Sequence, residues 1–217
     1  MTRLRRKKNI YARLSACASY WFEVPVANRG CWRQACGMPP DCPLYLELGC
    51  GKGRFAIETA RKNPGVCVIA LEKEQSVILS AIESACEEGM TNLFFLCADV
   101  LLLRNYFTPG EVDRIYINFC DPWSRKNKPK RRLTYREYLE TYKTLLRPCG
   151  DIHFKTDDSR LFEFSMGEFE VAGLGIRKIT RDLHNSPWNA ENIRTEFEEK
   201  FAEQGVLIKR AEAFKPD

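Results

Sequence analysis

From Leu44 onward, short apolar runs rich in β-branched and aromatic residues alternate with longer segments whose apolar positions recur every three to four residues. The first kind has the period of a strand and the second that of an amphipathic helix. Strands are predicted at Leu44–Leu48, Val66–Leu71, Leu93–Cys97, Arg114–Cys120, Asp151–Lys155, Ile176–Asp182 and Val206–Ala211. Helices are predicted at Arg54–Lys62, Gln75–Glu87, Tyr135–Leu146, Leu161–Ala172 and Thr195–Gln204. This alternation predicts an α/β fold: a mostly parallel central sheet flanked by helices. Residues 1–43, with Pro25, Gly30, Gly37, Pro39, Pro40 and Pro43, read as an irregular extension ahead of a domain spanning 44–217.

The strand ends carry the first chemical signal. In open α/β sheets, ligands bind at the carboxyl ends of the strands. Glu47, Glu72, Asp99 and Asp121 fall at the ends of the first four predicted strands. Any one of them reads equally well as a helix cap or a solvated loop charge. The repetition at four successive ends points instead to a shared crevice.

Glu47-Leu48-Gly49-Cys50-Gly51-Lys52-Gly53 is a glycine-rich turn from strand to helix, where Gly49 and Gly51 let a ligand approach the backbone. It lacks the G-K-[ST] of a phosphate-cradling loop and the G-x-G-x-x-G of a dinucleotide site. Glu47 would repel a pyrophosphate and attract a cation. S-adenosylmethionine supplies a sulfonium and an ammonium without phosphate. Glu72 would then accept from ribose hydroxyls and Asp99 from the adenine amino group.

The fourth strand runs into Asn118-Phe119-Cys120-Asp121-Pro122-Trp123, an acidic aromatic turn followed at once by Arg125, Lys126, Lys128, Lys130, Arg131 and Arg132. Asp121 suits a site that stabilises positive charge; Trp123 reads either as a stacking wall or as core packing. Six cations beside a cofactor crevice call for a substrate that brings phosphates, so nucleic acid fits. Arg3, Arg5, Arg6, Lys7, Lys8 and Arg13 precede the first acidic residue and add a basic arm, although the formal charge of the whole chain is only +5.

Composition narrows the classes further. With 217 residues and 44% hydrophobic content, the chain suffices for one good core. No apolar run is long enough for a membrane span or a secretory signal, so a soluble, cytoplasmic protein is expected. The ten cysteines contain no C-x-x-C and are expected as free thiols. Cys31, Cys36 and Cys42 are irregularly spaced for zinc and have no histidine near them, so no metal is expected.

The motifs ELGCGKG, INFCDPW, KPKRRLT, HFKTDDSRLFE, DLHNS and TEFEEKF, with the closing Ile208-Lys209-Arg210-Ala211-Glu212, occur in an order that closely resembles the bacterial tRNA (guanine-N7)-methyltransferase family. The resemblance implies a Rossmann-like class I methyltransferase fold. It also implies methyl transfer from S-adenosylmethionine to N7 of a guanine in the tRNA variable loop, by a monomer or homodimer. By the same resemblance Asp121 is catalytic and shares the donor with Glu47, Glu72 and Asp99, while Arg125, Asp157 and the segment from Thr195 to Glu198 bind substrate. Two positions depart from the pattern, since the family often has Pro or His at Ser124 and Lys at Arg125. Guanine N7 has a lone pair and no proton, so Asp121 is expected to act electrostatically, while Asp157 or Glu198 accepts from guanine N1 and N2.

From the residues alone, Thr195-Glu196-Phe197-Glu198 also reads as a helix capping box, and Asp157-Asp158 as a strand end with a cap. His153 is expected in a strand and His184 as a loop contact. Three competing functions remain at this level: methylation of another nitrogen such as adenine N6, a nicotinamide oxidoreductase, and a non-catalytic RNA-binding module.

Overall fold

The computed structural model describes residues 8–123 and 128–216. Arg125, Lys126 and the first cations of the basic arm lie outside the described residues. The chain divides into two compact units, the first ending at Tyr106 and the second beginning at Phe107.

In the first unit, β1 (Leu44–Leu48), β2 (Cys67–Glu72) and β3 (Leu93–Cys97) pair in parallel, with β2 in the middle. From Cys67 to Leu71 every residue of β2 is buried, as a parallel strand covered on both faces requires. Helix α3 (Arg54–Lys62) buries Phe55, Ala56, Ile57 and Ala60, and α4 (Gln75–Glu87) buries Ile78, Leu79, Ala81, Ile82 and Ala85. The side-chain amide of Asn92 donates to the carbonyls of Ala60, Asn63 and Val66, tying the end of α3 to the entry of β2.

The segment ahead of β1 is more ordered than its proline and glycine content predicts. It holds α1 (Ile10–Ala16) and the single turn α2 (Trp32–Ala35). Arg13 grips Glu83 of α4 through two contacts of 2.6 and 2.7 Å, Leu14 is buried, and Trp21 Nε1 donates to the Leu14 carbonyl. Trp32 has no exposed surface, and its Nε1 donates to Tyr106 O at 2.7 Å, at the end of the short helix α5 (Leu103–Tyr106). Two buried aromatic or aliphatic anchors, each with a satisfied polar handle nearby, hold down a stretch whose local propensity is weak.

The second unit carries β4 (Val112–Asn118), β5 (Leu146–Thr156), β6 (Gly175–Thr180) and β7 (Lys209–Phe214). Strands β4 and β5 are parallel, whereas β7 runs antiparallel to both β5 and β6. Helices α6 (Arg136–Leu145), α7 (Ser159–Val171) and α8 (Glu196–Glu203) complete it. Across the seven strands the fold is α/β with mostly parallel pairing, as the hydrophobic pattern predicts.

Alternation sorts the two faces of β5. Ile152 and Phe154 point to the apolar side, where Phe154 meets Phe162 and Phe169 of α7, both at 6.2 Å between ring centroids. Asp151, His153 and Lys155 take the opposite face. Asp151 accepts from Arg114 at 2.7 and 3.1 Å and from Arg177 at 2.8 Å; Glu212, opposite His153 on β7, pairs with Arg177, Lys178 and Arg210. The ligand-type atoms of Asp151, His153 and Glu212 lie within 4.8 Å of one another. Four cations already compensate the two carboxylates, so the cluster is an ion-pair network with no surplus negative charge to attract a metal.

This network sets a pH dependence. Burial holds the His153 imidazole below its usual value and the Arg114 guanidinium adds to the effect, against the opposing pull of Asp151. Burial pushes Asp151 up, but the neighbouring His153 and the hydrogen-bonded Arg114 guanidinium outweigh it and hold the carboxyl below the usual range. A depressed histidine contributes stability above its unfolded value of about 6.5 and loses it as the unfolded chain takes up the proton first. The urea midpoint is therefore expected to start falling near pH 6.5, and to fall again below about pH 4 as the carboxylates titrate. A His153→Asn variant should lack the first decline; an unchanged curve would show that His153 titrates alike in both states.

Candidate active site

The three acidic strand ends of the first unit sit where the pattern places them. Glu47, only 3% exposed, is next to last in β1; Glu72 closes β2, and Asp99 follows β3 on an exposed loop. Between the first two lies the glycine turn. Gly49 and Cys50 donate to Leu71 O at 2.7 and 3.0 Å, and Gly51 N donates to Glu72 Oε2 at 3.3 Å. Glu72 Oε1 accepts from Glu74 N at 3.0 Å, so one carboxylate braces two loops while its remaining lone pairs stay available. Burial and the nearby carboxylates of Glu47 and Glu72 push the Cys50 thiol well above its usual value, which makes it inert as a nucleophile. Asp99 accepts from Leu101 N at 2.9 Å with Oδ1 and caps a short helical turn, so the capping and binding readings of this residue are compatible.

Gly49, Gly51 and Gly53 all have positive φ, 76°, 58° and 84°. An added Cβ at Gly49 or Gly51 would meet no atom within 4 Å, which leaves their backbone open on the outer side. Gly53 differs, because its Cβ would lie 2.5 Å from Ala81 Cβ. Gly53→Ala is expected to cost about 1–3 kcal/mol from overpacking and a further ~1–2 kcal/mol from the left-handed backbone. Adding Ala81→Gly should return the steric part alone in urea unfolding, and no recovery would place the cost in the backbone.

In the second unit, Asp121 lies exposed just past β4. Its Oδ1 accepts from Trp123 N at 2.9 Å, which closes the turn. Phe119 and Trp123 flank it with φ of 52° and 43°, a conformation that bulky side chains rarely adopt and that persists when neighbours enforce it. The neighbours are visible. Arg131 lies 4.9 Å and Lys128 5.7 Å from the Trp123 ring centroid. Arg132 Nε donates to Pro122 O at 2.9 Å, and its guanidinium covers Phe164 at 4.3 Å.

Three of the four described cations of this run, Lys128, Arg131 and Arg132, thus contact the turn itself. Lys130 is exposed and Lys128 and Arg131 present charge around Trp123, whereas Arg132 is committed to holding the turn. The wall reading of Trp123 fits its half-exposed position better than core packing does.

Asp157 follows β5 directly, half-buried, and its carboxyl is pushed up by burial. Asp158 takes the capping role, accepting from Leu161 N at 2.7 Å, which leaves Asp157 as the carboxylate with no cap to make. Lys209 Nζ donates to the Asp157 backbone carbonyl at 2.7 Å.

Thr195 caps α8 by accepting from Glu198 N at 3.0 Å. Glu198, expected to bind substrate, is buried. Its side chain has no exposed surface, Oε2 receives Lys155 Nζ at 2.7 Å, and Oε1 receives His184 Nε2 at 2.8 Å together with the Asn192 amide. A carboxylate so enclosed anchors the segment that carries Thr195. It does not bend back to complete a capping box. Despite burial, Lys155, His184 and Asn192 hold it below the usual glutamate range. Lys155 also donates to Asn192 Oδ1 and Ile193 O at 2.9 and 2.8 Å. His184, expected as a loop contact, belongs to this network. Lys155, His184 and Asn192 were missed as a group, although a lysine inside an apolar strand signals a buried partner.

All ten cysteines are free. No described helix is long and apolar enough to cross a membrane.

Carboxylates at the ends of β1 and β2, an open glycine turn and, in the second unit, an acidic turn after β4 are features that an α/β methyltransferase requires. The putative methyltransferase family matches residues 41–211. The chain is 44% identical over 191 residues to a tRNA (guanine-N(7)-)-methyltransferase of Halalkalibacterium halodurans, covering 88% of this chain and 86% of that protein. It is 39% identical to the Streptococcus mutans protein of the same name, covering 97% and 99%. The chain belongs to the tRNA (guanine-N(7)-)-methyltransferase family. Among solved structures, the 16S rRNA methyltransferase KamB superposes with a TM-score of 0.58 at 14% identity, over 80% of this chain and 88% of that one. The [4+2]-cyclase SpnF superposes with 0.56 at 16% identity, over 95% and 93%, so the fold by itself does not select the reaction.

Proposed function

We propose that this protein transfers a methyl group from S-adenosylmethionine to N7 of a guanine in the variable loop of tRNA, in the cytoplasm. The observation that carries the reading is the exposed Asp121 carboxylate, fixed by Trp123 N in a turn whose Trp123 ring is covered by Lys128 and Arg131, in a chain nearly 40% identical or more to relatives that bear this activity in their names. When bound, the donor supplies a methyl group made electrophilic by its sulfonium. Glu47 attracts that cationic end, the open backbone of Gly49 and Gly51 admits it, Glu72 accepts from the ribose and Asp99 from the adenine amine.

N7 is nucleophilic without losing a proton, so Asp121 needs only to orient the base and stabilise the positive charge arriving on the imidazole ring. Asp157 accepts from guanine N1–H and N2–H, which no adenine offers together. Thr195 shapes the neighbouring surface, with Glu198 behind it. Arg125, Lys126, Lys128, Lys130 and Arg131 meet phosphates, and Arg132 supports them through the turn.

The test is incubation with unmodified tRNA and methyl-labelled S-adenosylmethionine, followed by nucleoside analysis. Labelled 7-methylguanosine from the variable loop is expected. A different methylated nucleoside would move the specificity, and tRNA binding without transfer would leave an RNA-binding module.

A further inference from the structure

Three aromatic rings in the second unit form a ladder, and its outer ring, Phe197 within the segment from Thr195 to Glu198, has no role of its own above. Phe119, two residues before Asp121, lies 6.2 Å from Phe201 with 20° between ring planes, and Phe201 lies 6.5 Å from Phe197 with 24° between planes. The inner end is held in place: Phe119 N donates to Lys155 O at 2.9 Å, and its backbone has a positive φ of 52°. The outer end is open, since Phe197 is 60% exposed.

A phenylalanine with most of its surface in water gains little from the core. Here the ring is nonetheless held in an ordered stack, on a helix anchored by the buried Lys155–Glu198 pair. Helical periodicity places Lys200 one turn on from Phe197, between that ring and the stripe of Glu196, Glu199 and Glu203 on α8. The face around the open ring therefore joins an aromatic plane to a cation, the combination that receives an unpaired base and its phosphate.

Resting on the reading of this chain as a tRNA methyltransferase, we infer that Phe197 is a stacking platform for an unpaired base adjacent to the methylated guanine. Its position two ring spacings out from Phe119 assigns it to a flanking nucleotide, because the reacting guanine must sit at Asp121 itself. The ladder couples the two: a base docked on Phe197 is registered to the catalytic turn through Phe201 and Phe119. Phe197 is thus a positioning residue.

The experiment compares wild type with Phe197→Ala, Phe197→Leu and Phe197→Trp, measuring tRNA affinity across salt concentrations, KM and kcat for tRNA, and donor affinity. Phe197→Ala should weaken tRNA binding roughly 5- to 100-fold, the range for loss of one base–aromatic stack, with donor affinity unchanged. Leu should remain weak and Trp should recover. The slope of log affinity against log salt should stay as in wild type, since no phosphate contact is lost. Thermal melting should be unaffected by substitution at so exposed a position.

Wild-type tRNA binding and KM in Phe197→Ala, in a protein whose wild type makes 7-methylguanosine, would overturn the platform alone. Full recovery with Leu would also overturn it, because apolar bulk would then suffice. A wild-type protein that neither binds nor methylates tRNA would overturn the functional reading instead.

Discussion

Replacing Asp121 by Asn is expected to lower kcat for tRNA methylation by about 10²–10³-fold while leaving the affinities for tRNA and donor little changed. The amide retains an oxygen that can accept from Trp123 N, now at 2.9 Å from the carboxylate, so the turn should keep its shape. What the substitution removes is the negative charge that the proposed function sets beside the base. In methyl transfer to N7, positive charge moves from sulfur to the purine ring, and a carboxylate fixed beside it is worth more in the transition state than in the bound substrates. Single-turnover rates with saturating tRNA and donor would isolate this step. Wild-type turnover by Asp121→Asn would mean that Asp121 contributes only its hydrogen bond, and that the charge is handled elsewhere.

The second large effect concerns stability. Lys155→Ala is expected to cost about 3–5 kcal/mol in urea unfolding, because it strips the cation from a carboxylate that has no exposed surface. On a typical domain stability of about 5–15 kcal/mol this is a large fraction, and tRNA activity should fall with it as α8 loosens. Combining Lys155→Met with Glu198→Leu should recover much of the stability, since a buried ion pair is worth little more than apolar groups of similar volume. It should not restore activity in full, because the Asn192 and His184 contacts that set the Thr195 segment would be gone. If the single Lys155→Ala variant melts like wild type, water reaches Glu198 and the site is more open than its burial indicates.

The elements of the first unit were legible because their forces are local. Leu44–Leu48, Arg54–Lys62, Gln75–Glu87 and Leu93–Cys97 have the same limits in pattern and structure. Continuous burial of parallel strands and the apolar stripes of α3 and α4 leave little ambiguity. The last strand was harder. The apolar run Val206-Leu207-Ile208 drew the expected strand to Val206–Ala211, but pairing runs over Lys209–Phe214. That register sets Arg210 opposite Lys155 and Glu212 opposite His153, on a face where charge meets compensating charge. A single-sequence pattern treats those residues as surface.

The candidate site divides in the same way. Glu47, Glu72, Asp99 and Asp121 could be read as strand-end carboxylates because topology fixes where strand ends lie, and the glycine turn could be read because positive φ selects glycine. The role of Glu198 could not. Its partner Lys155 is 43 residues away, and only folding reveals that both are enclosed together. Arg132 likewise looked like its basic neighbours until its contacts with Pro122 and Phe164 set it apart. The sequence by itself determined the layered α/β plan, the acidic strand ends and the resemblance that names the reaction, since these follow from periodicity and short motifs. Tertiary structure alone decided which charged groups stay exposed and which are consumed by one another, because that depends on burial and on pairings between residues far apart in the chain.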